Sequence, residues 1–193
     1  MKISIINSPE KWLEILYIAG RNCYGLIEFN KLPSNEELEK FLKKIIMFDH
    51  GSVLEHVNIT VLLEDVSRSL MAQLTRHRHA SFCVKSQHYV VHKNFKYKSL
   101  EYSGQSLLYD DLMASINRVY EQLLADGVPK YIAREVLPNA ALTNIVMTAN
   151  IRELRHIIKI RITKHNTPEI IKMSELLLDK LIEIMPGAFE DLK

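Results

Sequence analysis

The stretch His50–Tyr89, HGSVLEHVNITVLLEDVSRSLMAQLTRHRHASFCVKSQHY, contains the strongest structural signals of the chain. Its β-branched run Val57–Leu63 predicts a strand. Ser67 offers an N-cap for a helix, because a helical pattern of apolar residues follows it directly. A second strand-like run is predicted at Tyr89–Val91, so this stretch indicates strands on both sides of a helix.

The composition is that of an ordinary globular domain of 193 residues. The formal net charge is only +2, so any anion site must be local. The two cysteines lack CxxC spacing, which argues against a disulfide framework or a zinc ribbon and fits a reducing cytoplasm. We recognise no secretory signal and no stretch of membrane-spanning length, so we expect a cytoplasmic protein without a membrane partner.

The first fifty residues indicate an edge strand followed by two helices. Lys2–Ile6 alternates between apolar and polar residues and predicts the strand. Ser8 followed by Pro9 predicts the start of the first helix. Ser34 predicts the N-cap of the second helix, which ends near Phe48, because glutamates in its first turns suit the helix dipole.

The C-terminal half is predicted to be rich in helices. After an exposed loop over residues 92–102, helical patterns occupy residues 107–124, 131–137, 143–162 and 168–184. The expected fold class is α+β, with a small, mainly antiparallel sheet flanked by helices. We expect residues 1–193 to form a single domain.

The segment Arg76-His77-Arg78-His79 predicts an anion site. Four consecutive cations or near-cations are hard to explain by packing, because unpaired like charges repel and are costly to desolvate. Gln73, Arg76 and His77 share one face at helical spacing, and an arginine fork suits a phosphate or the edge of a nucleobase. The alternative is a solvated basic helix end that complements the helix dipole, but the density of charge argues against it.

The pattern NIRELRHIIKIR, residues 150–161, places polar groups on two sides of a predicted helix. Four basic side chains fall within an arc of roughly 100°: Arg152, Arg155, His156 and Lys159. Asn150 and Arg161 align with the opposite, apolar face, which suits a helix between a site and a core or between subunits. Periodicity alone favours an ordinary amphipathic surface helix.

Other chemistries have weaker support in the sequence. Adjacent guanidinium groups oppose a divalent cation at the histidines of residues 76–79, and metal-binding motifs are absent, so we expect no metal site. Rossmann and P-loop motifs are absent too, so any nucleotide would bind in a different mode. Cys83 is more simply explained as a small buried hydrophobic residue than as a nucleophile. A nucleic-acid-binding module over residues 76–98 is the main non-enzyme alternative, but sparse aromatic residues and the low net charge argue against a nucleic-acid partner.

Several blocks of the chain resemble the flavin-dependent thymidylate synthases. That family is marked by Arg-His-Arg with a serine eight places after the second arginine, and the corresponding residues here are Arg76-His77-Arg78 and Ser86. The blocks HGSVLEH, SRSLMAQLTRHRHAS, AREVLPNAALTN and TANIRELRHIIKIR occur in the family's order. The resemblance covers about residues 47–162.

The resemblance implies an FAD-dependent enzyme that is a homotetramer with its cofactor sites at subunit interfaces. Its expected reaction is the reductive methylation of dUMP to dTMP, with 5,10-methylenetetrahydrofolate as carbon donor and NADPH as reductant. In that family the reduced flavin carries the methylene to C5 of dUMP and its hydride completes the methyl group. No protein nucleophile attacks the pyrimidine, and positive donors stabilise the negative charge that develops on the uracil ring.

The resemblance also assigns roles to residues. Arg161 is placed on the uracil edge, where it favours ionisation at N3, and is the catalytic candidate. The implied dUMP-binding residues are Gln73, Arg76, Ser86, Gln87, His88, Arg134 and Arg161. The implied FAD-binding residues are His50, Ser52, Glu55, Arg76, His77, Arg78, Asn150, Arg152 and His156, with His50 and Glu55 near the flavin and folate entrance.

The chain departs from the family pattern at three places. His88 stands where an arginine usually helps to hold the dUMP phosphate, a difference of roughly 1–3 kcal/mol in binding. Cys83-Val84 replaces an Asn and a Glu, and Asn166-Thr167-Pro168 replaces a common Ala-Gln-Trp. The alternatives are a paralogue that acts on another pyrimidine nucleotide and a catalytically silent relative that binds nucleotides or nucleic acid.

Overall fold

The sheet has four strands whose spatial order differs from their order in the chain. The computed structural model describes residues 1–25, 28, 31–100 and 106–193. Its strands are β1 (Lys2–Asn7), β2 (Asn58–Ser67), β3 (Ala80–Val84) and β4 (Leu142–Asn150). They form an antiparallel sheet in the order β1-β2-β4-β3, so the prediction of an edge strand at the N-terminus is confirmed.

Eight α-helices accompany the sheet within the described residues. They are α1 (Trp12–Asn22), α2 (Asn35–Met47), α3 (Gly51–Leu54), α4 (Arg68–Leu74), α5 (Ser106–Ala125), α6 (Lys130–Ala133), α7 (Ile151–Arg161) and α8 (Pro168–Ile184). Single 3-10 turns occur at Arg134–Val136 and Glu190–Leu192. The predicted α+β class is confirmed.

The chain divides into two compact units. The first unit comprises Met1–Lys2, Leu63–Arg76 and Cys83–Ile145, and the second comprises Ile3–Leu62, His77–Phe82 and Val146–Lys193. Each unit buries its own apolar side chains, such as Leu74 and Tyr120 in the first and Ile157 and Leu177 in the second. That residues 1–193 behave as a single domain stays a prediction.

Serine caps begin two of the helices, as the sequence predicts. Ser67 Oγ accepts a hydrogen bond from the backbone N–H of Leu70 at 3.0 Å and so starts α4. Ser34 starts α2, and its backbone N–H donates to the Glu37 carboxylate at 3.2 Å. Each bond satisfies a backbone group that would otherwise lack a partner at the helix end.

The predicted helix over residues 143–162 is wrong in its first half. Residues 142–150 form β4, and only then does α7 begin at Ile151. Every second side chain of this stretch is buried: Thr143, Ile145, Met147 and Ala149. A two-residue period belongs to a strand with one face on the core, and it was overlooked beside the strong helical pattern that follows.

The predicted strand at Tyr89–Val91 is also wrong, since a turn occupies this position. Ser86 Oγ accepts hydrogen bonds from the backbone N–H groups of His88 and Tyr89, which closes the turn. The strand lies earlier, at β3, in a segment whose alternating burial is compatible with a sheet.

The predicted start of the first helix is early by about one turn. Ser8 and Pro9 lie outside α1, whose N-cap is Lys11, because β1 continues to Asn7 and a turn at Glu10 and Lys11 precedes the helix. The predicted loop over residues 92–102 is exposed for the most part, but His92 is buried. Its last two residues lie outside the described residues.

Arg155 joins α7 to the C-terminal 3-10 turn of the second unit. Its two terminal nitrogens donate to the two carboxylate oxygens of Asp191 at 2.7 and 2.6 Å, and it also donates to the Ala188 carbonyl. These hydrogen bonds from Arg155 are the main reason that the pKa of Asp191 lies below its usual range.

We expect Asp191→Asn to lower the free energy of unfolding by about 1 kcal/mol near neutral pH, because the pair is bidentate but partly exposed and screened. Since folding depresses the pKa of this carboxyl, the contribution is present above the ordinary value of about 3.9 and is lost as the pH falls through the folded-state pKa. Urea unfolding of both proteins across this range measures the difference. A difference that persists undiminished in strong acid would contradict the assignment.

Candidate functional site

A polar cavity of about 490 Å³ lies in the second unit. Its lining residues are Glu55, His79, Asn150, Arg152, Glu153 and His156. Most of them come from the first turns of α7, which Asn150 starts by accepting a hydrogen bond from the backbone N–H of Glu153 at 2.9 Å. The volume is within the range of small-molecule and cofactor sites, about 300–1,000 Å³.

Arg152 is positioned at this cavity by two neighbours. Its Nη1 donates to Glu55 Oε1 at 2.6 Å, although both side chains remain about half exposed. Gly51 leaves the space for the guanidinium, since a Cβ at this position would lie only 2.8 Å from Arg152 Nε. An exposed pair of this kind contributes little to stability, so Arg152 is available to an anionic ligand at small cost.

His77 contacts two residues of α7 that lie about two helical turns apart. Its side chain is 5% exposed, with Nδ1 at 3.2 Å from Glu153 Oε1, and Arg161 Nε donates to its Nε2 at 3.0 Å. An arginine can only donate, so Nε2 is the nitrogen without a proton and Nδ1–H donates to Glu153. Burial is the main cause that lowers the pKa of His77, and Arg161 lowers this pKa further while Glu153 raises it.

Glu153 is a site residue that the sequence interpretation missed. Its side chain is 8% exposed, and it lies four residues before the buried Ile157, on the apolar side of α7. An acidic residue on the apolar face of a helix was a signal for a buried ion pair. The ring of His156 also approaches His77, with 5.8 Å between the ring centroids.

The segment after α7 has a structural explanation. Asn166 Nδ2 donates to the carbonyl oxygen of Ile160 at 2.9 Å and to the Thr163 side chain at 2.9 Å. Thr167 is the N-cap of α8, and Pro168 is its first residue. These three residues therefore end one helix and begin the next, immediately after Arg161.

The first unit brings together three other candidate residues. His88 stacks on the ring of Tyr131, with centroids 5.2 Å apart and an interplanar angle of 21°. Arg134 Nε donates to the Tyr131 carbonyl oxygen at 3.1 Å. Ser86 forms the turn that carries His88. Tyr131 thus serves both basic residues as a common support.

Arg68 adds a further cation to this unit and was also missed. Its Nη1 donates to the carbonyl oxygen of Lys85 at 3.4 Å. Burial is the main cause that lowers the pKa of Arg68, and the positive charge of Arg134 lowers this pKa further. Two guanidinium groups that repel each other in a partly buried setting are an environment that favours an anion.

The remaining candidates are distributed over both units. In the first unit Gln73 and Gln87 are half-buried and Arg76 is exposed, whereas Arg78, His50 and Ser52 are exposed in the second. Cys23 and Cys83 are exposed free thiols, so the expectation that Cys83 is buried is wrong. Within the described ranges, no group of three His, Cys, Asp or Glu side chains is arranged to hold a metal ion. None of the helices in the described part of the chain is long and apolar enough to cross a membrane.

Known proteins match both the sequence and the fold. The family model described as thymidylate synthase complementing protein matches residues 4–187. The flavin-dependent thymidylate synthase of Geobacter sulfurreducens is 33% identical over 200 residues, which cover 99% of this chain and 86% of that protein. The enzyme of Clostridium tetani is 30% identical over 206 residues, covering 95% and 82%. A crystal structure of the Helicobacter pylori enzyme, complexed with FAD and dUMP, has a TM-score of 0.80 at 21% identity and covers 100% of this chain and 99% of its own.

Proposed function

This chain belongs to the flavin-dependent thymidylate synthase family, and from this premise we propose that it binds FAD and methylates dUMP to dTMP. The proposed carbon donor is 5,10-methylenetetrahydrofolate, and the proposed reductant is NADPH. The observation that carries the proposal is the cavity of the second unit. Four of its six lining residues, Glu55, Asn150, Arg152 and His156, are those that the sequence resemblance assigns to FAD.

The lining of this cavity suits a flavin nucleotide. Arg152 offers a guanidinium for an anionic group such as a pyrophosphate, while His79 and His156 add ring nitrogens. When bound, FAD supplies the carbon-transfer and hydride chemistry, and the protein supplies binding, orientation and electrostatics. Ser52, His50, Arg76, His77 and Arg78 complete the proposed FAD set.

The dUMP phosphate is proposed to bind the basic group of the first unit. Ser86, His88 and Arg134 come from the resemblance, and Arg68 is added by the structure because the positive charge of Arg134 acts on it. Gln73, Arg76 and Gln87 complete the proposed dUMP set. A phosphate that accepts hydrogen bonds from an arginine fork is held in position as well as neutralised.

Arg161 is proposed to activate the uracil. A guanidinium at the pyrimidine edge stabilises the negative charge that develops on the ring, so it favours ionisation at N3 and makes C5 more nucleophilic. No protein nucleophile is assigned to the reaction. We further propose that the enzyme acts as a cytoplasmic homotetramer, an arrangement that rests on the family resemblance and on cysteines that suit a reducing compartment.

The test is an anaerobic reaction of the purified protein with reduced FAD, dUMP and 5,10-methylenetetrahydrofolate, with the nucleotide product identified by mass spectrometry. We expect thymidylate. Unchanged dUMP with flavin still bound would contradict the proposal. His88 favours one specific alternative, a paralogue that acts on another pyrimidine nucleotide, so in that case the same assay is repeated with other pyrimidine nucleotides.

We expect His88→Arg to lower the KM for dUMP about tenfold, because an added charge-assisted hydrogen bond to the phosphate contributes about 1.5 kcal/mol. Tyr131 can support an arginine as it supports the imidazole, since guanidinium groups stack on aromatic rings. Steady-state kinetics with varied dUMP measure the effect. His165→Arg, which adds the same charge at an exposed position, is the matched control. An unchanged KM would mean that Arg68 and Arg134 already hold the phosphate without this residue.

A further inference from the structure

We propose that Glu153 and His77 are positioning residues that hold the guanidinium of Arg161 for uracil activation. The proposal rests on the proposed function for the identity of the reaction, but its geometry stands on the second unit alone. Glu153, His77 and Arg161 form a continuous hydrogen-bonded series in which the carboxylate accepts from one ring nitrogen and the guanidinium donates to the other.

The order of donors and acceptors in this series is fixed by chemistry. Arg161 Nε carries a hydrogen and no lone pair, so the Nε2 atom of His77 accepts. The proton of the neutral imidazole must then be on Nδ1, where Glu153 Oε1 accepts it at 3.2 Å. Glu153 therefore selects the one tautomer of His77 that can accept a hydrogen bond from Arg161.

The burial of this series argues for a positioning role. Glu153 and His77 are 8% and 5% exposed at their side chains, and a carboxylate in such a place is costly unless it is paired. An apolar residue at position 153 would match Ile157, its buried neighbour on α7, without that cost. The acid is therefore better explained by what it orients than by stability.

The bond at Nε determines the orientation of Arg161. A guanidinium is planar, so a hydrogen bond at Nε sets the plane in which its terminal nitrogens lie. Arg161 is the last residue of α7, and a hydrogen bond at Nε restricts the rotamers that its long side chain can sample. Because activation needs donors at a fixed place, an orientation set before the substrate binds favours the reaction.

The central residue of Arg76-His77-Arg78 thus has a role different from that of its neighbours. Both ring nitrogens of His77 are used within the chain, whereas Arg76 and Arg78 are exposed. The groups that face the ring from α7 are Glu153, His156 and Arg161. Burial and Arg161 keep the pKa of His77 below its usual value, so the neutral form that this series needs is present at physiological pH.

The first experiment reads the tautomer directly. The FAD-loaded protein is labelled with ¹⁵N-histidine, the ring resonances of His77 are assigned by their loss in His77→Gln, and their ¹⁵N shifts identify the protonated nitrogen. We expect the Nδ1–H tautomer in the wild type and a mixture of tautomers in Glu153→Leu. The Nε2–H tautomer in the wild type would overturn the proposal, whatever the activity of the protein.

The second experiment is kinetic. We expect Glu153→Leu to lower kcat about 10–100-fold, as the loss of supporting partners does at other sites, with the KM for dUMP changed less than about threefold and FAD retained. Glu153→Gln should restore most of kcat, because its amide oxygen can still accept from Nδ1–H. Asp191→Asn is the matched control, since it removes a carboxylate paired with the same helix but not with His77.

An unchanged kcat in Glu153→Leu would overturn the proposal, and so would a kcat for Glu153→Gln that is as low as that of the leucine variant. If Glu153→Leu does not fold, the kcat of Glu153→Gln and the tautomer of His77 in the wild type still test the proposal. Failure of the proposed function is distinguishable: a wild-type protein that forms no thymidylate but shows the Nδ1–H tautomer would contradict the reaction and not the hydrogen-bonded series.

Discussion

Arg161→Ala is expected to lower kcat for thymidylate formation by about 10²–10³-fold, the effect of removing one donor that stabilises developing negative charge. FAD should stay bound, because Arg161 does not line the cavity in which four of the proposed FAD residues lie. The fold should also persist, since the half-buried side chain is at the end of α7 and water can satisfy His77 Nε2 after its removal.

Single-turnover kinetics with reduced, flavin-loaded protein measure this effect without interference from NADPH. Lys159→Ala is the matched control, because it removes an exposed cation two residues earlier on the same helix. Arg161→Lys keeps the charge but loses the planar group that His77 orients, so its kcat should lie between those of the wild type and the alanine variant. If Arg161→Ala forms thymidylate with the kcat of the wild type, Arg161 does not activate the uracil.

Arg152→Ala is expected to weaken FAD binding about 10–100-fold, because a charge-assisted hydrogen bond to an anionic group contributes about 1.5–3 kcal/mol. Titration of the apoprotein with FAD, followed by flavin fluorescence, gives the dissociation constant. Arg118→Ala is the control, since Arg118 is an exposed arginine on α5 that is hydrogen-bonded to Ser115. An unchanged affinity for FAD would place the cofactor away from this cavity.

Gly51→Ala tests the same site without removing a charge. The added methyl group would approach Arg152 Nε within 2.8 Å, and the flexible guanidinium must move away while the backbone of α3 remains unstrained. We expect the loss of FAD affinity to have the same direction as in Arg152→Ala but to be smaller, with little change in the free energy of unfolding. Equal affinity for FAD in Gly51→Ala and the wild type would show that the exact position of Arg152 is unimportant.

Local sequence signals located most of the helices but not all of the strands. Pro168–Ile184 matches α8 residue for residue, because Thr167 and Pro168 define its start and the apolar period is regular. The strand β4 was missed because Met147 also falls in helical register with Ile151 and Leu154 of α7. A short apolar run is ambiguous in this way until its strand partners are known.

The candidate site could be predicted wherever its residues belong to a sequence motif. Arg152 and His156 do, and the structure brings them to one cavity. Glu153 and Arg68 could not be assigned in this way, because their roles depend on partners far away in the sequence, such as His77 and Arg134. Tertiary contacts of this kind leave only an indirect trace in the sequence, such as an acidic residue on an apolar helix face.

Two asparagines hold the ends of α7, with Asn150 at its first turn and Asn166 just beyond its last. Helix ends ordinarily fray, since terminal turns open at almost no cost in free energy while the middle of the helix stays intact. Here one backbone group at each end, the N–H of Glu153 and the carbonyl of Ile160, has a side-chain partner, and Arg161 stands on the last turn. Opening the last turn of α7 therefore requires breaking the Asn166 bonds as well. The amide protons of this turn then exchange with solvent only through rarer openings. The geometry around Arg161 persists in the resting protein between turnovers.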